Sequence, residues 1–312
     1  MNPMLSRRAA LLLFAVAIVT WGLNWTVTKT LVHSVSPLWT TAIRSAIATA
    51  ALFVLLLARG DLILPRRGDV PVILSVALLH MGAFSALVAF GIQFVPVGRS
   101  IVLGYSTPLW VAPAAWLFLS EPLSRSRLAG IGLGLAGLAT LFNPLAFDWS
   151  DRNALIGNGL ILLAAVCWAA NILYVRAHTW ISSPFQLVFW QALLATCVLS
   201  TLALSIEGIP RIVWSPALAG TFLYAGCGAA LAHGAMVMVN RSLPAVTTSL
   251  GLLATPVVGV ATSVIFLGEP VGISLILAMA MILGGIAIGT IPYGKAAADR
   301  QIPQPVPDVV RT

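Results

Sequence analysis

Apolar residues run through this chain in long stretches, separated by short polar breaks. Crossing the hydrocarbon core of a bilayer takes about 20 mostly apolar residues in helix. Ten stretches qualify: 9–31, 37–58, 70–94, 97–119, 125–143, 154–176, 184–206, 216–240, 243–267 and 271–291. The expected fold is all-α, an integral membrane protein of ten transmembrane helices. Little chain is left over: a short N-terminus at 1–8, a linker at 144–153 and a tail at 292–312, expected to be disordered because it carries Pro303, Pro305 and Pro307. The first stretch is not read as a signal peptide, because it is long, holds Asn24 and Lys29, and lacks a small-residue cleavage site.

Composition narrows the picture. Of 312 residues, 59% are AVILMFWYC and 8% are charged, against about 45–50% and about 25% in a soluble domain. That balance excludes an ordinary soluble enzyme, a nucleic-acid-binding domain and a disordered chain. The net charge is +8 and the pI about 10.3, with the basic residues scattered between apolar runs. They also orient the chain. With the N-terminus inside, inner segments hold Arg7, Arg8, Arg59, Arg66, Arg67, Arg125, Arg127, Arg176, Arg241, Lys295, Arg300 and Arg311, and outer segments hold only Lys29, Arg99, Arg152 and Arg211. Both termini are therefore expected in the cytoplasm. Cys167, Cys197 and Cys227 are odd in number and lack metal-ligand spacing. No disulfide framework, metal or cofactor is expected.

The sequence overlays on itself at an offset of 147–148 residues. Trp21 lands on Trp168, Asn24 on Asn171, Lys29 on Arg176 and Pro37 on Pro184. Pro96 lands on Pro244, Thr107-Pro108 on Thr255-Pro256, Glu121-Pro122 on Glu269-Pro270, and Gly137 on Gly285. So many coincidences at a nearly fixed offset mark an internal repeat. Each half, 9–143 and 154–291, holds five spans, and an odd number predicts two inverted five-helix repeats. Inverted repeats are the architecture of secondary transporters, with the substrate site near mid-membrane between the halves.

The residues Trp21-Gly22-Leu23-Asn24, Arg44, Thr107-Pro108 and Glu121-Pro122, with their partners Trp168, Asn171, Pro256 and Glu269-Pro270, resemble the drug/metabolite transporter superfamily, in its ten-span branch with two EamA repeats. The second half departs from that pattern in having Gln191 where the first has Arg44. The resemblance covers residues 9–291. It implies export of small metabolites from a bacterial cytoplasm across the inner membrane, and within the superfamily the chain is most similar to YddG-type exporters of aromatic and neutral amino acids. The expected partners are a small-molecule substrate and the lipid bilayer, with no nucleic acid, and the expected unit is a monomer. A broader drug and metabolite exporter is the alternative. An intramembrane lipid-acting enzyme is the reading from another class. It would need a mid-membrane nucleophile with a base, or clustered carboxylates, and neither is visible.

Several residues are candidates for the substrate site. Trp21 with Asn24, and Trp168 with Asn171, each share a helical face. Trp25 and Thr28 extend the first of these faces. An indole beside an amide can pack an apolar side chain while bonding an amino or carboxylate group. The alternative for the asparagines is hydrogen bonding between helices. His80 and His233 each lie about ten residues into their spans, roughly 15 Å deep, and Phe84 shares the face of His80. The histidines could instead be neutral and bonded to a neighbouring helix. Tyr105 precedes Pro108, which deletes a backbone hydrogen bond. Pro256 repeats the interruption in the second half. Broken helices at matching positions point to a transporter site and its gates, against the reading as tolerated kinks. Arg44 could hold a substrate carboxylate, but a structural role near the outer surface is favoured.

The nine carboxylates (Asp61, Asp69, Glu121, Asp148, Asp151, Glu207, Glu269, Asp299 and Asp308) all fall in loops, at span ends or in the tail. A mid-membrane carboxylate is the usual proton relay or cation counter-ion of a transporter. Its absence points to a neutral, zwitterionic or aromatic substrate with little obligatory proton coupling. Any coupling falls to His80 or His233. Residues 132–137, Gly-Leu-Gly-Leu-Ala-Gly, match a dinucleotide fingerprint but lie within a span, where close helix packing is the better reading.

Overall fold

The computed structural model describes residues 6–121, 123–143 and 147–290. Pro122 and the 292–312 tail lie outside the described residues, as does the side chain of His233. Helices follow one another throughout: α1 Arg7–Ser34, α2 Pro37–Arg59, α3 Val70–Ser75, α4 Ser85–Gly91, α5 Val97–Gly104, α6 Thr107–Leu119, α7 Arg125–Leu141, α8 Arg152–Ala177, α9 Pro184–Ile206, α10 Pro216–Ser242, α11 Ala245–Leu252, α12 Ala254–Leu267 and α13 Ile273–Gly289. A π-helical segment, Val76–Phe84, joins α3 to α4. No strand occurs among the described residues.

The helix ends follow local chemistry. The side chains of Ser6, Ser124, Asp151, Ser183 and Ser215 accept backbone N–H bonds at the starts of α1, α7, α8, α9 and α10. Pro37, Pro184 and Pro216 open their helices, where a missing N–H costs nothing. Glu207 reaches from beyond α9 to accept the N–H groups of Leu38 and Trp39 at 2.9 and 3.1 Å, which ties the start of α2 to the end of α9.

Every expected span carries helix. Among the described residues, seven helical stretches are long and apolar enough to cross a membrane: Arg7–Ser34, Pro37–Arg59, Arg67–Gly91, Val97–Leu119, Arg152–Ala177, Pro184–Ile206 and Leu250–Leu267. Pro216–Ala232 and Ile273–Gly289 are shorter apolar helices. The molecule is a multi-pass membrane protein, and its outside suits lipid: Leu12, Phe118 and Ile265 are 70%, 73% and 72% exposed.

Three expected spans are not continuous α-helices. The third contains the π segment. The fourth breaks at Tyr105–Ser106 and the ninth at Leu253. The last two breaks lie 148 residues apart and just ahead of Pro108 and Pro256, where proline leaves a carbonyl without its usual donor.

Helix α1 lies between α10 and α12, while α8 packs on the π segment, α4 and α6. Helices α2 and α9 form one flank, joined by Ser45 and Thr49, whose hydroxyls meet that of Thr196 at 2.8 and 3.0 Å. Helices α7 and α13 form another flank and touch backbone to backbone. A Cβ on Gly130 would collide with the Gly285 carbonyl, and one on Gly285 with the Gly130 carbonyl. Gly130→Val and Gly285→Val should each lower the melting temperature in detergent, because overpacking costs about 1–3 kcal/mol and here the backbones themselves must separate. Gly132 has open space around its Cβ position, so Gly132→Ala should leave melting unchanged or raise it slightly.

Candidate functional site

Four rings from four segments close into a loop at the helix breaks. Trp25 of α1 meets Phe84 of the π segment edge-on, with centroids 6.4 Å apart, and Tyr105 at the first break, also at 6.4 Å. Trp168 of α8 completes the loop, 5.2 Å from Phe84 and 6.5 Å from Tyr105. The His80 ring stacks on Trp168 at 5.3 Å, only 7° from parallel. The π segment makes this possible: an extra residue per turn turns His80 and Phe84 toward the same indole, and such bulges are frequent at functional sites. The Tyr105 hydroxyl lies at the side chain of Thr255, beside the second break. Thr255 Oγ1 is buried and finds no hydrogen-bond partner of good geometry.

A polar cluster sits beside this box. Arg44 Nη1 donates to Thr28 Oγ1 at 2.8 Å, and Nη2 donates to Asn24 Oδ1 at 3.4 Å. Arg44 Nε is buried and has no partner. Arg44 forms no ion pair among the described residues. An enclosed cation without a counter-ion is costly inside a bilayer.

The structure thus brings His80, Phe84, Tyr105 and Trp168 together. Trp21 is half-buried one turn before Trp25 on the same helix. Asn24 joins the Arg44 cluster. Asn171 is buried and its Oδ1 accepts a hydrogen bond from Ser75 Oγ at 3.1 Å, joining α8 to α3. Pro108 is exposed in the first turn of α6, and Pro256 is buried in the first turn of α12. The sequence places Trp25 only as an extension of the Trp21 face. Trp25, not Trp21, makes the ring contacts with Phe84 and Tyr105, a distinction that spacing cannot draw because the two share a face. The π segment leaves no sequence signal.

The two ends of the molecule differ. At one end Lys29 Nζ bonds the carbonyls of Ile92, Gln93 and Val95, the last at 3.1 Å, and Glu269 accepts the N–H groups of Val97 and Gly98 at 2.8 and 3.2 Å. Helix α5 is seated there against α1, α8, α12 and α13. At the other end Glu121 pairs with Arg127 at 3.2 Å and with Arg176 at 3.1 Å. They border a cleft of about 230 Å³ between α6, α7, α8 and the end of α13. Helix α11 packs on its chain neighbours α10 and α12 and, through Gly251 and Leu252, on Phe14 of α1.

Comparison with known proteins agrees on the class. The model of the EamA-like transporter family matches twice, over residues 8–143 and 155–291. A Salmonella typhimurium protein named as a probable amino-acid metabolite efflux pump is 28% identical over 93% of this chain and 97% of its own length. The Escherichia coli protein of the same name is 25% identical over 68% and 69%. The uncharacterized transporter YoaV of Bacillus subtilis is 22% identical over 88% and 94%. A solved crystal structure, 22% identical, overlays with a TM-score of 0.62 over 91% of this chain and 98% of that one, which supports the fold.

The placement of the rings yields an accessibility prediction. With Cys167, Cys197 and Cys227 replaced by Ser, single cysteines at positions 25, 84 and 168 should react with a water-soluble thiol reagent. Cysteines at the lipid-facing positions 12, 118 and 265 should not. Labelling of the second set without the first would contradict the placement.

Proposed function

The chain belongs to the EamA-like transporter family, within the drug/metabolite transporter superfamily, and on that premise we propose that it exports neutral or aromatic amino acids and similar small metabolites by alternating access. It acts as a transporter, not an enzyme. In this reading its ten helical stretches are ten crossings in two inverted repeats, 9–143 and 154–291. Both termini face the cytoplasm, as the Arg and Lys distribution favours. The membrane is the bacterial inner membrane.

The observation that carries the substrate class is the aromatic box beside an uncompensated Arg44. Trp25, Phe84, Tyr105 and Trp168 present ring faces and edges suited to an apolar or aromatic side chain, with His80 stacked on Trp168 and Trp21 one turn before Trp25; His233 remains a candidate from the sequence. The Arg44 cluster, with Asn24, receives the carboxylate. Guanidinium binds carboxylate along a two-donor edge, and the long Nη2–Asn24 contact is easily exchanged for it. Asn171 supports α8 from behind. An amino-acid zwitterion carries no net charge across, and no carboxylate lies at mid-depth in the spans, so downhill export needs no proton. The breaks before Pro108 and Pro256 let the half-helices swing.

Proteoliposomes containing only this protein test the reading. A neutral or aromatic amino acid should exchange across the membrane, and its decarboxylated amine should not. Arg44→Gln should raise the apparent KM by about ten- to a hundredfold, the loss expected of a charge-assisted hydrogen bond worth about 1.5–3 kcal/mol. Transport of amines or cationic drugs as well as amino acids would favour the broader exporter.

An imposed pH gradient should not drive accumulation of a neutral amino acid. Uphill accumulation that persists in His80→Gln/His233→Gln would refute uncoupled transport.

A further inference from the structure

The repeat relates the two ends of the molecule residue by residue. Lys29 maps to Arg176, Glu269 to Glu121, and α5 to α11. Their contacts are not related. At the first end the cation and the anion are separated, and each is inserted into backbone. Lys29 takes the carbonyls just before Pro96, and Glu269 takes the N–H groups just after it. The helix that follows, α5, is seated in the bundle. At the second end Arg176 and Glu121 hold each other instead, and α11 packs on α1, where Gly251 meets Phe14, and on α10 and α12, with no comparable packing on α6, α7 or α8 among the described residues. We propose that these four residues form two alternating latches, and that closing the second end means Glu121 capping the α11 N-terminus while Arg176 takes the carbonyls before Pro244. The proposal rests on the alternating-access reading and supplies its gate.

The cleft at the second end supports this assignment. Gly98 of α5 lies against Leu275 and Val260. Under the 148-residue offset Gly98 becomes Val246, Leu275 becomes Arg127, and Val260 becomes Ala112. Both Arg127 and Ala112 line the cleft, together with Glu121 and Arg176. The open space is thus the repeat image of the seat that α5 fills. Its occupant is α11. By the same offset the N–H groups that Glu121 would accept are those of Ala245 and Val246, and the carbonyls for Arg176 are those of Asn240, Arg241 and Leu243.

The energetics favour an exchange. Arg176 and Glu121 are 45% and 26% exposed, and a solvated pair of this kind contributes little stability. Separating it costs little. Charge-assisted bonds to a helix N-terminus in a water-poor seat are stronger. The two latches should exclude each other, because an export path closed at both ends admits no substrate and one open at both ends leaks.

Disulfide trapping tests this without any substrate. In the protein with Cys167, Cys197 and Cys227 replaced by Ser, Val246→Cys and Ala112→Cys form the reporting pair, and the rate of oxidative cross-linking in proteoliposomes is measured. The pair should cross-link slowly in the otherwise unaltered protein. Adding Lys29→Ala and Glu269→Gln, which removes the first latch, should speed cross-linking at least tenfold. Adding Glu121→Gln should slow it at least tenfold, and Arg176→Gln should do the same should the first variant fail to fold. The proposal is overturned if no cross-link forms even without the first latch, or if neither second-latch variant slows it. Because the readout is a cross-link, these results stand apart from the transport assay, whose failure would count against the amino-acid reading alone.

Discussion

Inside a bilayer no water is available to satisfy a backbone N–H or C=O, and most of this architecture follows from that constraint. Helix answers it along most of the chain. It fails where helices stop, and there side chains take over. At the break before Pro108, Ser106 Oγ donates to the Leu103 carbonyl at 2.6 Å and Thr107 Oγ1 to the Gly104 carbonyl at 2.8 Å. At the turn before Val97, three carbonyls are met by one lysine and two N–H groups by one glutamate. The breaks are tolerable because hydroxyls and charges cover them. That is also why they can serve as joints: a joint in lipid must exchange one set of partners for another and never go without.

The same constraint explains where the carboxylates are. Glu207 and Glu269 both sit beyond a helix C-terminus and reach across to the N-terminus of another helix. Asp69 is buried and accepts the hydroxyl and N–H of Ser182, tying the start of the third span to the loop before α9. An anion at a helix N-terminus meets unpaired N–H groups and the positive end of the helix dipole. Scarce charges are thus spent on holding helix ends together. Arg44 is the contrast, a guanidinium among hydroxyl and amide groups with no described carboxylate against it.

The sequence foretold the features that depend on periodicity and identity. Apolar run lengths located helices, and Pro108 and Pro256 located the broken ones. The self-overlay singled out Trp168 through Trp21, and the structure places it against His80, Phe84 and Tyr105; the family model matches each half separately. What stayed hidden depends on register. A π turn at Val76–Phe84 is a matter of one extra residue in the hydrogen-bond ladder, and no residue type demands it. Trp21 and Trp25 are equivalent on a helical face until a neighbour is placed, and only Phe84 and Tyr105 distinguish them. Carboxylates at span ends likewise read as mere loop residues until the helix ends they cap are known.

A duplicated chain with near-equal halves could settle into a symmetric structure, yet the seats of α5 and α11 differ. In the alternating-access reading proposed above, symmetry of sequence makes two states related by a pseudo-two-fold rotation close in energy, because each is the other with the halves exchanged. It does not make the average of the two favourable. A half-seated α5 would leave the carbonyls of the turn before it, and its own first N–H groups, between partners, unsatisfied and away from water, and such groups are costly. Two asymmetric states are therefore preferred over one symmetric intermediate. The repeat mates are also not identical: Lys29 corresponds to Arg176, and Arg44 to Gln191. A compact ammonium that gathers three carbonyls and a planar guanidinium that forks toward a carboxylate hold their ends differently. In that reading, small differences of this kind set which end rests open, and they are enough when the two states start nearly level.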